Sequence, residues 1–269
     1  MNGIKEAFQR SRARGEGALI GYVTAGDPAP DCTAKIAGAL IRGGVDVLEL
    51  GLPFSDPIAD GPTIQAASVR ALAAGTTPVK VLEIARQVRR GRRVPVVIMT
   101  YYNPVFRMGL DEFLGKAKDC LVDGVIVPDL PVEEAGDFKE AADAVGIDTI
   151  FLAAPSTSDD RLRTIVGCSS GFVYLVSRFG VTGAKATVED STIRLVKRVL
   201  PFTLGRIPLA VGFGVSSPDH VRSLVSAGAD GVIVGSAFVN IIQKNKDRFE
   251  DGLNELEGAA RELKAAAKL

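Results

Sequence analysis

Residues 45–69, VDVLELGLPFSDPIADGPTIQAASV, concentrate the side chains that could do chemistry. Glu49 interrupts a short, branched, apolar run bounded by Gly43-Gly44 and Gly51, the pattern of a strand buried on both faces. A carboxylate placed there loses water. Burial disfavours its charged form and raises its pKa, which lets one carboxyl group give and take a proton near neutral pH. The loop that follows, residues 51–61, exceeds the roughly 2–6 residues usual between strand and helix and is stiffened by Pro53 and Pro57. It supplies Ser55, Asp56 and Asp60. Asp60 is expected to stay ionised, whereas Ser55 and Asp56 beside proline read as turn chemistry. A lone acid at a strand end can also be a structural ion-pair partner; the apolar neighbours Leu48, Leu50 and Leu52 tilt Glu49 towards function.

Other chemistries find little footing. The single histidine, His220, falls in an expected surface helix, which disfavours a Ser-His-Asp triad. Cys32, Cys120 and Cys168 are odd in number and far apart, so neither a disulfide framework nor a metal pair is expected, and no metal site has the right spacing. Lys185 and Lys197 fall in a loop and a helix rather than at a strand end, against a Schiff base. Lys plus Arg and Asp plus Glu both number 32, which favours neither nucleic acid nor an anionic membrane as a partner. With no signal-peptide core and no apolar run approaching about 20 residues, a cytoplasmic protein is expected.

The elements that must position these groups follow from periodicity. Apolar runs at 18–24, 45–50, 94–100, 124–127, 147–152, 171–176, 207–211 and 231–234 read as strands. Between them, helical spacing predicts helices at 62–73, 78–90, 132–144, 158–166, 187–200, 218–227 and 249–263. Two more start at an Asp31 cap and near residue 111, and an amphipathic segment at 2–13 precedes the first strand, to plug or cap something. Gly61-Pro62 opens one helix, with proline at the first helical position, and Ser217 caps another. This alternation, with continuous rather than alternating apolar strands, predicts a single domain over residues 1–269, a (β/α)₈ TIM barrel with a short extra N-terminal helix. An open doubly wound sheet is disfavoured by the absence of a GxGxxG turn after the first strand.

In such a barrel the C-terminal strand ends carry the chemistry. Here they include Gly212-Phe213-Gly214 and Gly235-Ser236, and Gly180-Val181-Thr182-Gly183 lies just beyond a third. Gly-rich turns at helix N-termini expose backbone N–H groups to an anion, so three on adjacent strand ends point to phosphate, although any single one could be an ordinary tight turn.

LELGLPFSDPIADGPTIQAA, YYNPVF, VPDLP, VSRFGVTGA, VGFGVSSP and ADGVIVGSA resemble, in order and spacing, the α subunit of tryptophan synthase over nearly the whole chain. The resemblance implies retro-aldol cleavage of indole-3-glycerol phosphate to indole and glyceraldehyde 3-phosphate, with no cofactor in this chain. The family's catalytic glutamate falls on Glu49 and its catalytic aspartate on Asp60. Its phosphate-binding positions fall on Gly183, Gly212, Gly214, Gly235 and Ser236, and its indole and other substrate positions on Tyr22, Ile64, Tyr174, Thr182 and Phe213. It also implies a partner, a β subunit carrying pyridoxal phosphate, in an α2β2 heterotetramer. The surface for that partner is expected on the loop of Pro53, Asp56 and Pro57, and on an exposed segment at 102–106. Phe179 departs from the small or polar residue expected between Arg178 and Gly180. Two other readings stay open: a different phosphosugar isomerase or aldolase, and a non-catalytic allosteric partner, which retention of both acids disfavours.

Overall fold

Strands that are apolar along their whole length must be covered on both faces, and parallel strands roofed by helices are the arrangement that does so. The computed structural model, which describes residues 3–176, 190–212 and 214–268, shows that arrangement. The strands are β1 (Ala18–Thr24), β2 (Val47–Gly51), β3 (Val96–Met99), β4 (Gly124–Ile126), β5 (Asp148–Ile150), β6 (Leu152–Ala153), β7 (Val173–Val176), β8 (Leu209–Gly212) and β9 (Gly231–Val234). All pair in parallel, in the order β5-β4-β3-β2-β1-β9-β8-β7-β6.

The two ends of that order are consecutive in the chain. β5 pairs with β4 and β6 with β7, and only Phe151 separates them. The Phe151 carbonyl accepts the Tyr174 N–H at 3.0 Å, so one run changes partner at this residue and closes the sheet. Eight staves result, and the fold is a (β/α)₈ barrel.

The helices are α1 (Gly3–Ala13), α2 (Thr33–Arg42), α3 (Pro62–Ala73), α4 (Pro78–Arg89), α5 (Tyr102–Met108) and α6 (Leu110–Asp119), then α7 (Gly136–Val145), α8 (Asp159–Cys168), α9 (Asp190–Thr203), α10 (Pro218–Ser226), α11 (Ser236–Lys244) and α12 (Phe249–Ala265). Strand alternation sorts the core into two shells. Leu48, Leu50, Val96 and Ile98 pack outward under the helices, while Ile20, Val47, Val97, Ile126, Ile150 and Ile233 fill the barrel. Ile4, Ala7 and Phe8 of α1 join the inner shell, with the Phe8 ring 5.7 Å from that of Phe172. The amphipathic N-terminal segment is therefore a plug for the barrel's N-terminal end. Beside it, Lys264 of α12 binds Asp46 at 2.7 Å and Glu16 at 3.0 Å, tying the last helix to the chain's start.

Several expectations need correction. Asp31 does not cap a helix: it sits in a 3₁₀ turn, Pro30–Cys32, and α2 starts at Thr33 without a side-chain cap. Residues 102–106 form the body of α5, in which Asn103 and Phe106 are exposed as expected but Val105 is fully buried. The helix expected at 132–144 is a 3₁₀ turn, Val132–Glu134, followed by α7. His220 is buried rather than on the surface, and its Nδ1 accepts the Ser216 N–H at 3.4 Å. The Ser217 cap and the Gly61-Pro62 start stand as expected. Among the described residues, no helix is long and apolar enough to cross a membrane.

Candidate active site

Glu49 is the third residue of β2, and alternation turns it inward between the outward-facing Leu48 and Leu50. The leucines in its own strand therefore do not surround its carboxyl group. Its neighbours come from adjacent strands: Tyr22 of β1 lies in register with it on one side and Val97 of β3 on the other. Glu49 is only 1% exposed, and neither carboxylate oxygen has a hydrogen-bond partner among the described residues. Burial, and secondarily the charge of Asp60, pushes its pKa up to about 8. A buried, unsatisfied carboxyl group costs free energy that core packing could have avoided, and such groups concentrate at functional sites.

Asp60 ends the loop that leads into α3. Its position is set from both sides: Gln65 Nε2 donates to the Asp60 carbonyl oxygen at 2.9 Å, and the Asp60 N–H donates to the Pro57 carbonyl at 3.1 Å. Burial raises its pKa to about 6, opposed by a hydrogen bond from Tyr101. Asp60 is thus largely ionised at neutral pH, as expected, but less acidic than an open loop would leave it. Tyr101 also accepts the Ala59 N–H at 2.9 Å and stacks on Phe54 with ring centroids 5.3 Å apart, so the turn between β3 and α5 holds the far side of this loop.

Both acids face one cavity of about 340 Å³ at the C-terminal end of the barrel, lined also by Tyr22, Ile64, Tyr174, Gly214, Gly235 and Ser236. Eight of the residues singled out from sequence thus converge. Gly212 lies behind this wall, where its lack of a side chain makes room: a Cβ there would stand 2.6 Å from the Tyr174 hydroxyl. Gly51 does the same for Tyr22, at 2.1 Å. Thr182, Gly183 and Phe213, with Phe179 and Lys185, lie outside the described residues. Pro53 is buried, so the outward part of the loop is shorter than expected and consists of Ser55, Asp56, Ile58 and Ala59, with Pro57 half-buried.

The sequence reading missed Met99, Thr63 and Ile233 as lining residues. Met99 was separable in principle from Thr100 by alternation along β3. Thr100 turns away, with its hydroxyl donating to the Tyr101 carbonyl at 3.1 Å, and Met99 faces the cavity.

No lysine, arginine or histidine lines the cavity among the described residues. What it offers an anion is backbone: Gly235 and Ser236 begin α11, whose first-turn N–H groups have no partner within the helix, and Gly214 adds a turn at φ 79° after β8. The cavity thus combines a buried carboxyl group, a second carboxylate, apolar and aromatic walls, and the backbone of a helix start. No group of three or more metal-ligating side chains occurs among the described residues.

A parallel barrel with this mouth defines an acid–base enzyme acting on a phosphorylated, partly apolar substrate. The family model for the tryptophan synthase alpha chain matches residues 8–268. The tryptophan synthase alpha chain of Methanosarcina acetivorans is 53% identical over 263 residues, covering 97% of this chain and 93% of the relative. That of Methanopyrus kandleri is 47% identical over 267 residues, covering 98% and 94%. The crystal structure of the Legionella pneumophila alpha chain matches with a TM-score of 0.90 at 34% identity, covering 99% of this chain and 97% of that one. A Mycobacterium tuberculosis tryptophan synthase structure matches at 0.88 and 37% identity, covering 99% and 98%. The chain belongs to the tryptophan synthase alpha chain family, and its reaction is that family's carbon–carbon cleavage of indole-3-glycerol phosphate.

Proposed function

We propose that Glu49 and Asp60 carry this cleavage, with the phosphate against Gly214, Gly235 and Ser236 and the indole ring between Ile64, Tyr22, Tyr174 and Met99. The observation that carries the assignment is Glu49 itself, a buried carboxyl group that has no hydrogen-bond partner among the described residues and lies in the same cavity as Asp60. Neutral Glu49 donates its proton to ring carbon three, which turns the ring nitrogen into an iminium ion. Asp60 accepts the indole N–H and stabilises that positive charge. Ionised Glu49 then takes the proton of the neighbouring side-chain hydroxyl. As the aldehyde forms, the carbon–carbon bond breaks and its electrons return to the ring, giving indole and glyceraldehyde 3-phosphate. Glu49 ends protonated as it began, so the protons balance without a cofactor in this chain. General acid–base catalysis of this kind contributes about 10²–10⁴ in rate.

The β subunit implied by the resemblance, bearing pyridoxal phosphate in an α2β2 assembly, would receive indole at this end of the barrel. Two large apolar side chains support that reading: Ile58 on the active-site loop is 82% exposed and Phe106 on α5 is 70% exposed. Asp56 and Pro57 lie on the same loop.

Glu49→Gln keeps the shape and loses the transferable proton. Folded Glu49→Gln is expected to release no indole above background from indole-3-glycerol phosphate; cleavage at the wild-type rate would refute the assignment.

A further inference from the structure

Helix α3 and the two residues that lead into it supply the wall of the cavity from Asp60 to Ile64, yet little apolar surface holds the helix in place. Its buried residues are only Ala67, Ser68 and Ala71, its N-terminus has no side-chain cap, and Val69 and Leu72 face solvent. Burial stabilises in proportion to apolar area, and two alanines and a serine contribute little of it. Ala67 touches Tyr22 and Val239, so the helix rests on β1 and α11 through small side chains.

One specific tether compensates. Arg70, one turn beyond Ala67, donates from Nε and Nη2 to the two carboxylate oxygens of Asp27, each at 2.8 Å. Asp27 is 1% exposed. It sits in the loop after β1, which is itself fixed: the Asp27 N–H donates to the Thr24 carbonyl at 3.3 Å and the Gly26 N–H to the Thr33 hydroxyl at 2.9 Å. The paired groups thus join a stiff loop to a loosely packed helix through two parallel charge-assisted hydrogen bonds, a geometry that lysine cannot reproduce. Tyr22, whose hydroxyl lies 3.3 Å from that of Thr24, ties the same loop to the cavity.

We propose that Asp27 and Arg70 are positioning residues for the indole side of the active site: their ion pair sets where α3 places Ile64 and Asp60. The phosphate cradle, at the far ends of β8 and β9, does not depend on it. The proposal rests on the placement of the indole ring given above.

The test is steady-state kinetics on folded Arg70→Gln and Arg70→Lys, with glyceraldehyde 3-phosphate as a competitive product inhibitor. The KM for indole-3-glycerol phosphate is expected to rise about tenfold in Arg70→Gln and by less in Arg70→Lys, while the inhibition constant of glyceraldehyde 3-phosphate stays within about twofold of wild type. A purely structural pair would lower the urea midpoint and leave both constants of the folded enzyme unchanged; that result overturns the proposal, as does a parallel rise in both constants. If Arg70→Gln does not fold, Arg70→Lys carries the same two readings. Ile64→Ala, assayed alongside, separates the two ways of failing. An unchanged KM there refutes the ring placement, whereas a raised KM there with an unchanged KM in the Arg70 variants refutes the pair alone.

Discussion

Glu49 shows what the site costs the fold. Its carboxyl group titrates near 4.5 when unfolded and at about 8 in the barrel. Between those values the folded chain holds a proton that the unfolded chain has released. The stability of the fold therefore falls as pH rises through this window, and the loss is complete above about pH 8. Asp60, raised to about 6, acts in the same direction over a narrower range. Glu49→Gln removes the larger of the two titrations. Urea denaturation should find the variant close to wild type at about pH 5 and more stable by on the order of 3–5 kcal/mol at about pH 9. Parallel stability curves for the two proteins would mean that Glu49 is not held neutral by the fold.

Strand alternation and small residues, more than any loop, shape the cavity. Tyr22 and Tyr174 can lie across the barrel mouth only because Gly51 and Gly212 present no side chain to them. In Gly212→Ala the new methyl group would push the Tyr174 ring into the space meant for substrate. With an overpacking cost of about 1–3 kcal/mol, KM should rise about tenfold or more in kinetic assays while the barrel stays folded; an unchanged KM would show that the ring has room to retreat. Much of this was legible in sequence. The apolar runs gave the staves, Glu49 stood out as a carboxylate in an apolar strand, Gly235-Ser236 as one of several Gly-rich strand ends, and Asp60 through the family resemblance. What could not be read depends on contacts between elements. The change of partner at Phe151 is a property of two neighbouring strands. The Asp27–Arg70 pair joins residues far apart in sequence, with nothing in either local pattern to announce it. Helix α5 was hidden because Tyr102-Asn103-Pro104 has turn-forming composition, although proline is tolerated in a first helical turn.

Across the whole molecule, the two ends of the barrel do different work. At the N-terminal end α1 fills the interior with Ile4, Ala7 and Phe8, and the Lys264 ion pairs close the chain over it. The other end holds the cavity, the exposed Ile58 and Phe106, and an acid whose pKa is set by how well the barrel excludes water. Catalysis in this account needs Glu49 protonated and Asp60 ionised at once, a condition met between about pH 6 and about pH 8. The chain has no tryptophan, so the protein adds no indole fluorescence of its own to an assay of released indole. The decisive measurement is kcat/KM for indole-3-glycerol phosphate across pH. A bell is predicted, with macroscopic limbs near 6 and near 8, and Asp60→Asn should lose the lower limb along with most of its activity. A profile that stays flat through both limbs, or that rises above pH 8, would contradict the assignment of Glu49 as the acid and Asp60 as its charged partner.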